Sequence, residues 1–256
     1  MRNIKLLVEY DGTNYHGWQV QPGQRTIQGV IQSRLSMVVK SDTRITGAGR
    51  TDAGVHALGQ AANFKTDSRM TPAEFKAALN SVLPKDIVIR HVQEVEDNFH
   101  ARHDATSRTY RYTILNEKTL SAFLRNYVYL VSHSIDVDGM AEACKLLLGT
   151  HDFSSFASTG DPVSDYVRTV SDARILDTEH SDSLFYTKNR LIQFHIEASG
   201  FLRCMVRAIV GTLLEIGNGR IAPEKMLEIL EARDRSTAGP SLPAKGLCLI
   251  KVDYGL

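Results

Sequence analysis

The segment Gly47-Ala-Gly-Arg-Thr-Asp-Ala-Gly-Val-His56 sets small residues around one arginine and one carboxylate. Small residues let a backbone turn tightly and let a ligand approach closely, so Arg50 and Asp52 can project into open space instead of packing. Two phosphate-binding readings fail. A Walker loop needs Gly-Lys-Ser/Thr after its spacer, and a dinucleotide fingerprint needs a third glycine where this chain has Asp52. What remains is a lone carboxylate beside a fixed cation, with Thr51 and His56 as hydrogen-bonding neighbours. That pairing suits a nucleophile or base better than a proton donor. The same pattern also serves as a plain surface ion pair, and spacing alone leaves both readings open.

A second group lies further along. Arg102, His103, Arg108 and Arg111 fall within ten residues, interleaved with Tyr110 and Tyr112, while Glu94, Glu96 and Asp97 gather the acid elsewhere. A basic stripe with aromatics is compatible with holding phosphates and stacking a base. The formal net charge of +1 adds no diffuse positive field, so distribution matters more than the sum. Arg203 and Arg207, four apart in a helical pattern, are expected on one helix face as further phosphate contacts. His56 and His151 read as hydrogen-bonded structural residues, and Trp18 as core or interface. No carboxylates or histidines stand at a recognisable metal-ligand spacing, so no metal site is expected. Cys144, Cys204 and Cys248 are odd in number and lack Cys-x-x-Cys spacing, which argues against disulfides and a thiolate zinc site and for small core residues.

The elements that must position these groups alternate in type. Ile4, Leu6, Val8 and Tyr10 have strand period, and Ile27, Val30, Ile31, Leu35 and Val38 recur at helical spacing. The glycine-rich loop follows, then a strand over residues 60–65. Thr71-Pro-Ala-Glu74 has the form of a capping box that starts a helix, with Phe75, Leu79 and Val82 as its buried stripe, before a strand over 87–95. In the second half Arg108, Tyr110, Tyr112 and Ile114 share one face of a strand. A helix over 140–148 is expected to stop at Gly149 and give way to a polar, aromatic loop, His151-Asp-Phe-Ser-Ser-Phe156. Strands near 168–177, 184–187 and 192–196 precede a long helix after Gly200 that buries Leu202, Met205, Val206, Ile209, Leu213 and Ile216. A helix over 223–232 and a strand over 247–254 end the chain.

Such mixed runs predict an α+β fold with largely antiparallel sheet. At 256 residues the chain can bury a substantial core. The expected halves are residues 1–103, carrying the Asp52 loop, and 104–256, packed against each other with a cleft between. No apolar run is long enough to span a membrane, and Met-Arg-Asn-Ile-Lys leads straight into a strand pattern with no signal peptide, so a cytoplasmic protein is expected.

The residues also resemble a known family through nearly the whole chain. Tyr10-Asp-Gly-Thr-Asn-Tyr-His-Gly-Trp-Gln19, Arg25-Thr-Ile-Gln-Gly29, the Gly47 to Ala57 segment and Ala101-Arg-His-Asp-Ala-Thr-Ser-Arg-Thr-Tyr-Arg-Tyr112 are similar to motifs of the TruA family of tRNA pseudouridine synthases. So are Asp152-Phe-Ser-Ser-Phe156, Arg168-Thr169, Gly200-Phe-Leu-Arg-Cys-Met-Val-Arg207 and the tail from Ala238-Gly-Pro to Leu249. The resemblance implies the pseudouridine synthase fold, with two α+β halves whose sheets join across a cleft, assembled as a homodimer. It implies tRNA as partner, with uridines 38, 39 and 40 of the anticodon arm as substrate, and neither cofactor nor metal. Asp52 is then the catalytic nucleophile and Tyr110 contacts the target base. Arg50 could fill the space that the base vacates or pair with Asp52, and Arg168 is a second candidate for orienting that carboxylate. Arg102, Arg108, Arg111, Arg203 and Arg207 become candidate RNA phosphate contacts. The rival is a non-catalytic RNA-binding module in which the Asp52 loop is structural. A metal-dependent phosphoesterase built on Asp52 with His56 or Asp152 is a further rival, and it lacks a ligand spacing.

Overall fold

A computed structural model describes residues 1–158, 160, 164–182 and 187–255, those at 179–182 and 187–188 by backbone alone. In chain order the elements are β1 (Arg2–Tyr10), α1 (Ile27–Val39), β2 (Thr46–Gly47), β3 (His56–Thr66), α2 (Pro72–Val82) and β4 (Ile87–Val95). Then come β5 (Ser107–Asn116), β6 (Tyr129–Val131), α3 (Val137–Lys145), β7 (Gly149–Asp152), β8 (Val167–Asp182), β9 (Thr187–Ala198), α4 (Met205–Gly217), α5 (Lys225–Ala232) and β10 (Leu247–Asp253). The architecture is α+β with mostly antiparallel pairing, as the alternation of periods predicts. Two compact units form: Met1–Arg108 with Cys248–Leu256, and Thr109–Leu247.

In the first unit the strand order is β4-β1-β3-β10, with β2 also on β3. β1 runs antiparallel to both β3 and β4, while β10 pairs in parallel with the start of β3. Ile4, Leu6 and Val8 are fully buried on one face, where Phe64 meets Phe75 of α2 edge to face at 5.5 Å. The capping box of α2 is present in both directions: the Thr71 side chain accepts from Glu74 N, and Glu74 accepts from Thr71 N. On the other face Asn3 and Asn63 bond to each other at 2.9 Å and hold the turn after β4. Asn3 donates to the carbonyls of Glu96 and Phe99, and Asn63 accepts from Ala101 N.

In the second unit the order is β5-β9-β8-β7, with β6 parallel to β5. Ile192, Phe194 and Ile196 of β9 are fully buried, as their alternation predicts. α4 is buried nearly all round, because the segment after α5 crosses it at small residues. A Cβ at Gly211 would lie 1.8 Å from Pro240 O, and Gly239 N donates to Thr212 Oγ1. The tail motif Ala238-Gly-Pro is thus a packing device. Two expectations change in detail. The helix expected over 140–148 starts earlier and ends earlier, as Val137–Lys145 capped by Asp136. The expected loop at 151–156 is the end of β7 plus a 3₁₀ turn, with Phe153 and Phe156 fully buried, since aromatic residues there serve the core. Of the strand expected over 184–187, Leu184, Phe185 and Tyr186 lie outside the described residues, and Thr187 opens β9.

Candidate active site

Asp52 occupies the first position of a tight turn. Val55 N donates to Asp52 O at 3.1 Å, and Gly54 supplies the positive φ of 78° that the third position of such a turn requires. The side chain is half-buried, and neighbouring Arg50 is exposed. This turn does not stand alone, because the loop after β1 is interlocked with it. Trp18 N donates to Thr51 O, and Gly54 N donates to Tyr15 O. The Tyr10 hydroxyl meets Thr51 Oγ1 at 2.8 Å in a buried contact. A Cβ at Gly12 would lie 2.0 Å from Val55 O, one at Gly17 2.5 Å from Thr51 O, and one at Gly47 2.4 Å from Trp18 Nε1. Three glycines therefore let two backbones and one indole come within distances that no side chain permits.

His56 Nδ1 lies 3.1 Å from both Gly12 N and Asp11 Oδ1. One nitrogen cannot accept from the first and donate to the second. Asp11 Oδ1 already accepts from Thr13 N and Oγ1, so the Gly12 amide has the stronger claim on it. Either way the buried ring braces the two loops, in keeping with a structural histidine. Tyr15 is anchored in turn: its hydroxyl donates to Asp86 Oδ1 at 2.6 Å and accepts from Arg25, and burial with that carboxylate contact pushes its pKa up. Two more side chains hold the segment before Asp52 by its carbonyls: fully buried Gln60 donates to Gly49 O, and Arg108 donates to Ala48 O.

The second unit carries another group of the expected residues. Tyr110 is 7% exposed and meets Phe201 edge to face at 5.0 Å. Arg168 Nε lies 3.4 Å from where a Cβ of Gly200 would stand, so Arg168 crosses the residue next to Phe201. Its Nη1 donates to the carbonyls of Asp165 and Val167. Tyr110 and Arg168 thus converge on Gly200-Phe201, and Phe201, half-buried, joins them although the sequence reading did not single it out.

The basic cluster is divided. Arg102 is exposed on the turn before β5, while the Arg108 guanidinium is engaged by backbone carbonyls. Arg111, three residues on, lies on the opposite strand face with a buried Nε that has no hydrogen-bond partner among the described residues. Burial, then Arg174 and Arg111, push the pKa of nearby His195 down. Arg203 and Arg207 do not share a helix face, which corrects the helical-spacing expectation. Cys204 sits in the left-handed region at φ 62° and caps α4, so Arg203 lies outside the helix. Arg203 is exposed, and Arg207 donates through Nε to Leu242 O at 2.6 Å. Leu202 likewise precedes the helix, buried in the turn. All three cysteines are free; Cys144 is buried and its thiol is pushed up by that burial, whereas Cys204 and Cys248 are half-buried. Among the described residues no group of three or more His, Cys, Asp or Glu is gathered to hold a metal, and no helix is long and apolar enough to cross a membrane.

The chain thus carries a half-buried carboxylate on a braced glycine turn, an aromatic pair and exposed arginines. The profile of the tRNA pseudouridine synthase family matches residues 6–104 and 143–255. Similar proteins include "tRNA pseudouridine synthase A 2" of Clostridium perfringens, 49% identical over 99% of this chain and 100% of the relative. "tRNA pseudouridine synthase A" of Acetivibrio thermocellus and that of Clostridium acetobutylicum are each 46% identical over the same shares. The chain belongs to this family of isomerases, which make pseudouridine in tRNA.

Proposed function

We propose that this chain converts uridines 38, 39 and 40 in the anticodon arm of tRNA to pseudouridine, with Asp52 as the nucleophile. The observation that carries the reading is the seat of Asp52: a half-buried carboxylate on a turn held by backbone contacts from a second loop, inside a motif that resembles the family's catalytic one. The reaction breaks the bond from N1 to C1′, turns the base and joins C5 to C1′. The hydrogen leaves C5 for solvent and N1 gains one, so the atoms balance with no redox partner. An ionised carboxylate suffices, whether it adds to C6, attacks C1′ or assists elimination at the sugar. A uridine within a stem must first be extruded, at a cost of a few kcal/mol.

In this proposal Tyr110 contacts the extruded base, backed by Phe201, and Arg168 is a further substrate-binding residue beside them. Arg50 fills the space that the base leaves. Exposed Arg102 and Arg203 make phosphate contacts, with Arg111 and Arg207 contributing from half-buried positions. The protein acts in the cytoplasm as a homodimer, since a tRNA is large for one 28.5 kDa chain of net charge +1. Two copies related by a two-fold axis double the arginines that face one RNA.

Incubating the protein with prefolded tRNA tritiated at uridine C5, then mapping pseudouridine, tests the reading. Tritium release with pseudouridine at 38–40, undiminished by excess EDTA in monovalent salt, is expected. Binding without release would favour the RNA-binding module, and chelator-sensitive RNA cleavage the phosphoesterase. Light scattering should give twice 28.5 kDa; a fully active monomer would refute the dimer.

A further inference from the structure

We infer that Arg108 is a positioning residue for the catalytic loop and makes no phosphate contact. The inference rests on the reading that Asp52 is the nucleophile. By residue type Arg108 belongs with its basic neighbours as an RNA contact. Its geometry says otherwise, for the guanidinium reaches three backbone carbonyls from two segments of the first unit. Nη2 donates to Ala48 O at 3.0 Å and to Arg102 O at 2.8 Å, and Nη1 donates to Ala105 O at 3.0 Å. Ala48 lies four residues before Asp52, at the root of the turn. Arg102 and Ala105 belong to the bend between β4 and β5.

That bend is itself fixed, which makes it a fit anchor. Ala101 is fully buried with Ala48 and Ala61 in one small apolar cluster. Asn63 and Asn3 hold Ala101 N and Phe99 O, and the Tyr254 hydroxyl donates to Ala101 O at 2.9 Å. Thr106 N donates to Asp253 O, so β10 secures the far end. Arg108 carries this anchorage across to Ala48 O by side chain. Ala48 N is already used by Ala61 O at 2.8 Å, so both polar groups of that peptide are fixed and the chain leaves Ala48 toward Asp52 in one direction. A planar fork with five donors can hold three carbonyls at once; an ammonium on a flexible stem cannot hold the same set in fixed geometry. Close backbone approach at Gly12 and Gly17 braces the loop on the side of Thr51 and Val55, and Arg108 braces it at the root.

The test separates positioning from phosphate binding on the full-length protein. Arg108→Gln and Arg108→Lys are compared with wild type in single-turnover tritium release at saturating tRNA, in tRNA affinity against salt, and in hydrogen exchange of residues 47–55. Misplacing a catalytic group by about 1 Å costs on the order of 10²-fold. The Gln variant should therefore lose roughly 10- to 100-fold in rate, with an unchanged salt slope and faster exchange confined to 47–55 and the 99–106 bend. The Lys variant should recover only part of the rate, and added ethylguanidine should raise the rate of Arg108→Ala. A full rate at saturation combined with a salt slope shallower by roughly 0.7 to 0.9, the share of one phosphate, would overturn the inference. So would unchanged exchange over 47–55. The exchange arm does not depend on catalysis. Should Asp52 prove not to be the nucleophile, it still reports whether Arg108 holds the loop; should the Gln variant fail to fold, the Lys variant carries the same three readouts.

Discussion

The turn at Asp52 and the segment from Gly200 to Arg207 are both short stretches from which the proposed chemistry draws side chains, yet they are built in opposite ways. The first is fixed by main chain: donors from Trp18 and Gly54, close approaches at Gly12 and Gly17, and side chains of Gln60 and Arg108 that grip carbonyls. The second is shaped by side chains set against one another, Phe201 on Tyr110 and Arg168 across Gly200, before Cys204 turns the backbone into α4. A nucleophile must be held where bonds form, and backbone bonds lose little entropy to side-chain freedom. Groups that meet a flexible RNA gain from side chains that can adjust. The difference teaches that substitutions in the two regions should fail differently, through rate in the first and through base or phosphate contact in the second.

Asp52→Asn is the largest expected effect. The amide keeps the shape and loses the nucleophile, so turnover should fall on the order of 10³-fold or more while tRNA affinity stays near wild type. Tritium release above a few per cent of wild type, from protein free of contaminating enzyme, would take Asp52 out of its role and dissolve the comparison.

Next come two glycines with opposite surroundings. Gly12→Ala would place a Cβ 2.0 Å from Val55 O, whereas nothing lies within 4 Å of a Cβ at Gly49. The first substitution should cost about 1–3 kcal/mol of stability as overpacking does and lower the rate more than affinity. The second should leave stability within about 0.5 kcal/mol of wild type. Thermal unfolding and single-turnover rates measure both, and equal behaviour of the two variants would mean that the interlocked loops are not what holds the turn.

Tyr110→Ala should bind tRNA and turn it over more slowly, by the roughly 1–3 kcal/mol that a stacked aromatic contributes. Tyr110→Phe keeps the ring and the edge-to-face contact with Phe201, and should lose only what the hydroxyl provides. Silence of both in single turnover would assign Tyr110 to the core, where its low exposure already puts most of the ring.

The smallest expected effect on rate belongs to Arg102→Glu. This exposed arginine should flatten the dependence of log affinity on log salt by roughly 0.7 to 0.9 per phosphate lost, with an unchanged rate at saturation. A lower rate at saturation with an unchanged slope would place Arg102 with Arg108 in the scaffold.

Much of the fold is legible in the residues for local reasons. The capping box at Thr71 and Glu74 announces α2, and alternation around Ile192, Phe194 and Ile196 announces a strand. Strand β4 falls on Ile87–Val95 as the periodicity indicates. The tight turn at Asp52 is legible as well, because glycines in one short run mark a place where the backbone can turn and another can come close. Less legible is where long arginines go. Three residues separate Arg108 from Arg111, so strand alternation alone divides them, but nothing in the spacing says that Arg108 would find Ala48 O across 60 residues of chain. The helical spacing of Arg203 and Arg207 misleads because a left-handed Cys204 interrupts it.

By itself, then, the sequence determined most element types and the family, since these depend on local periodicity and on residues in order. Only the tertiary structure decided that the loop after β1 is the seat of Asp52, that the last strand returns to pair with β3, and that Phe201 stands against Tyr110. Those facts arise from contacts between residues far apart in the chain, where the energy lies in close approach and in satisfied carbonyls, and neither leaves a period in the sequence to read.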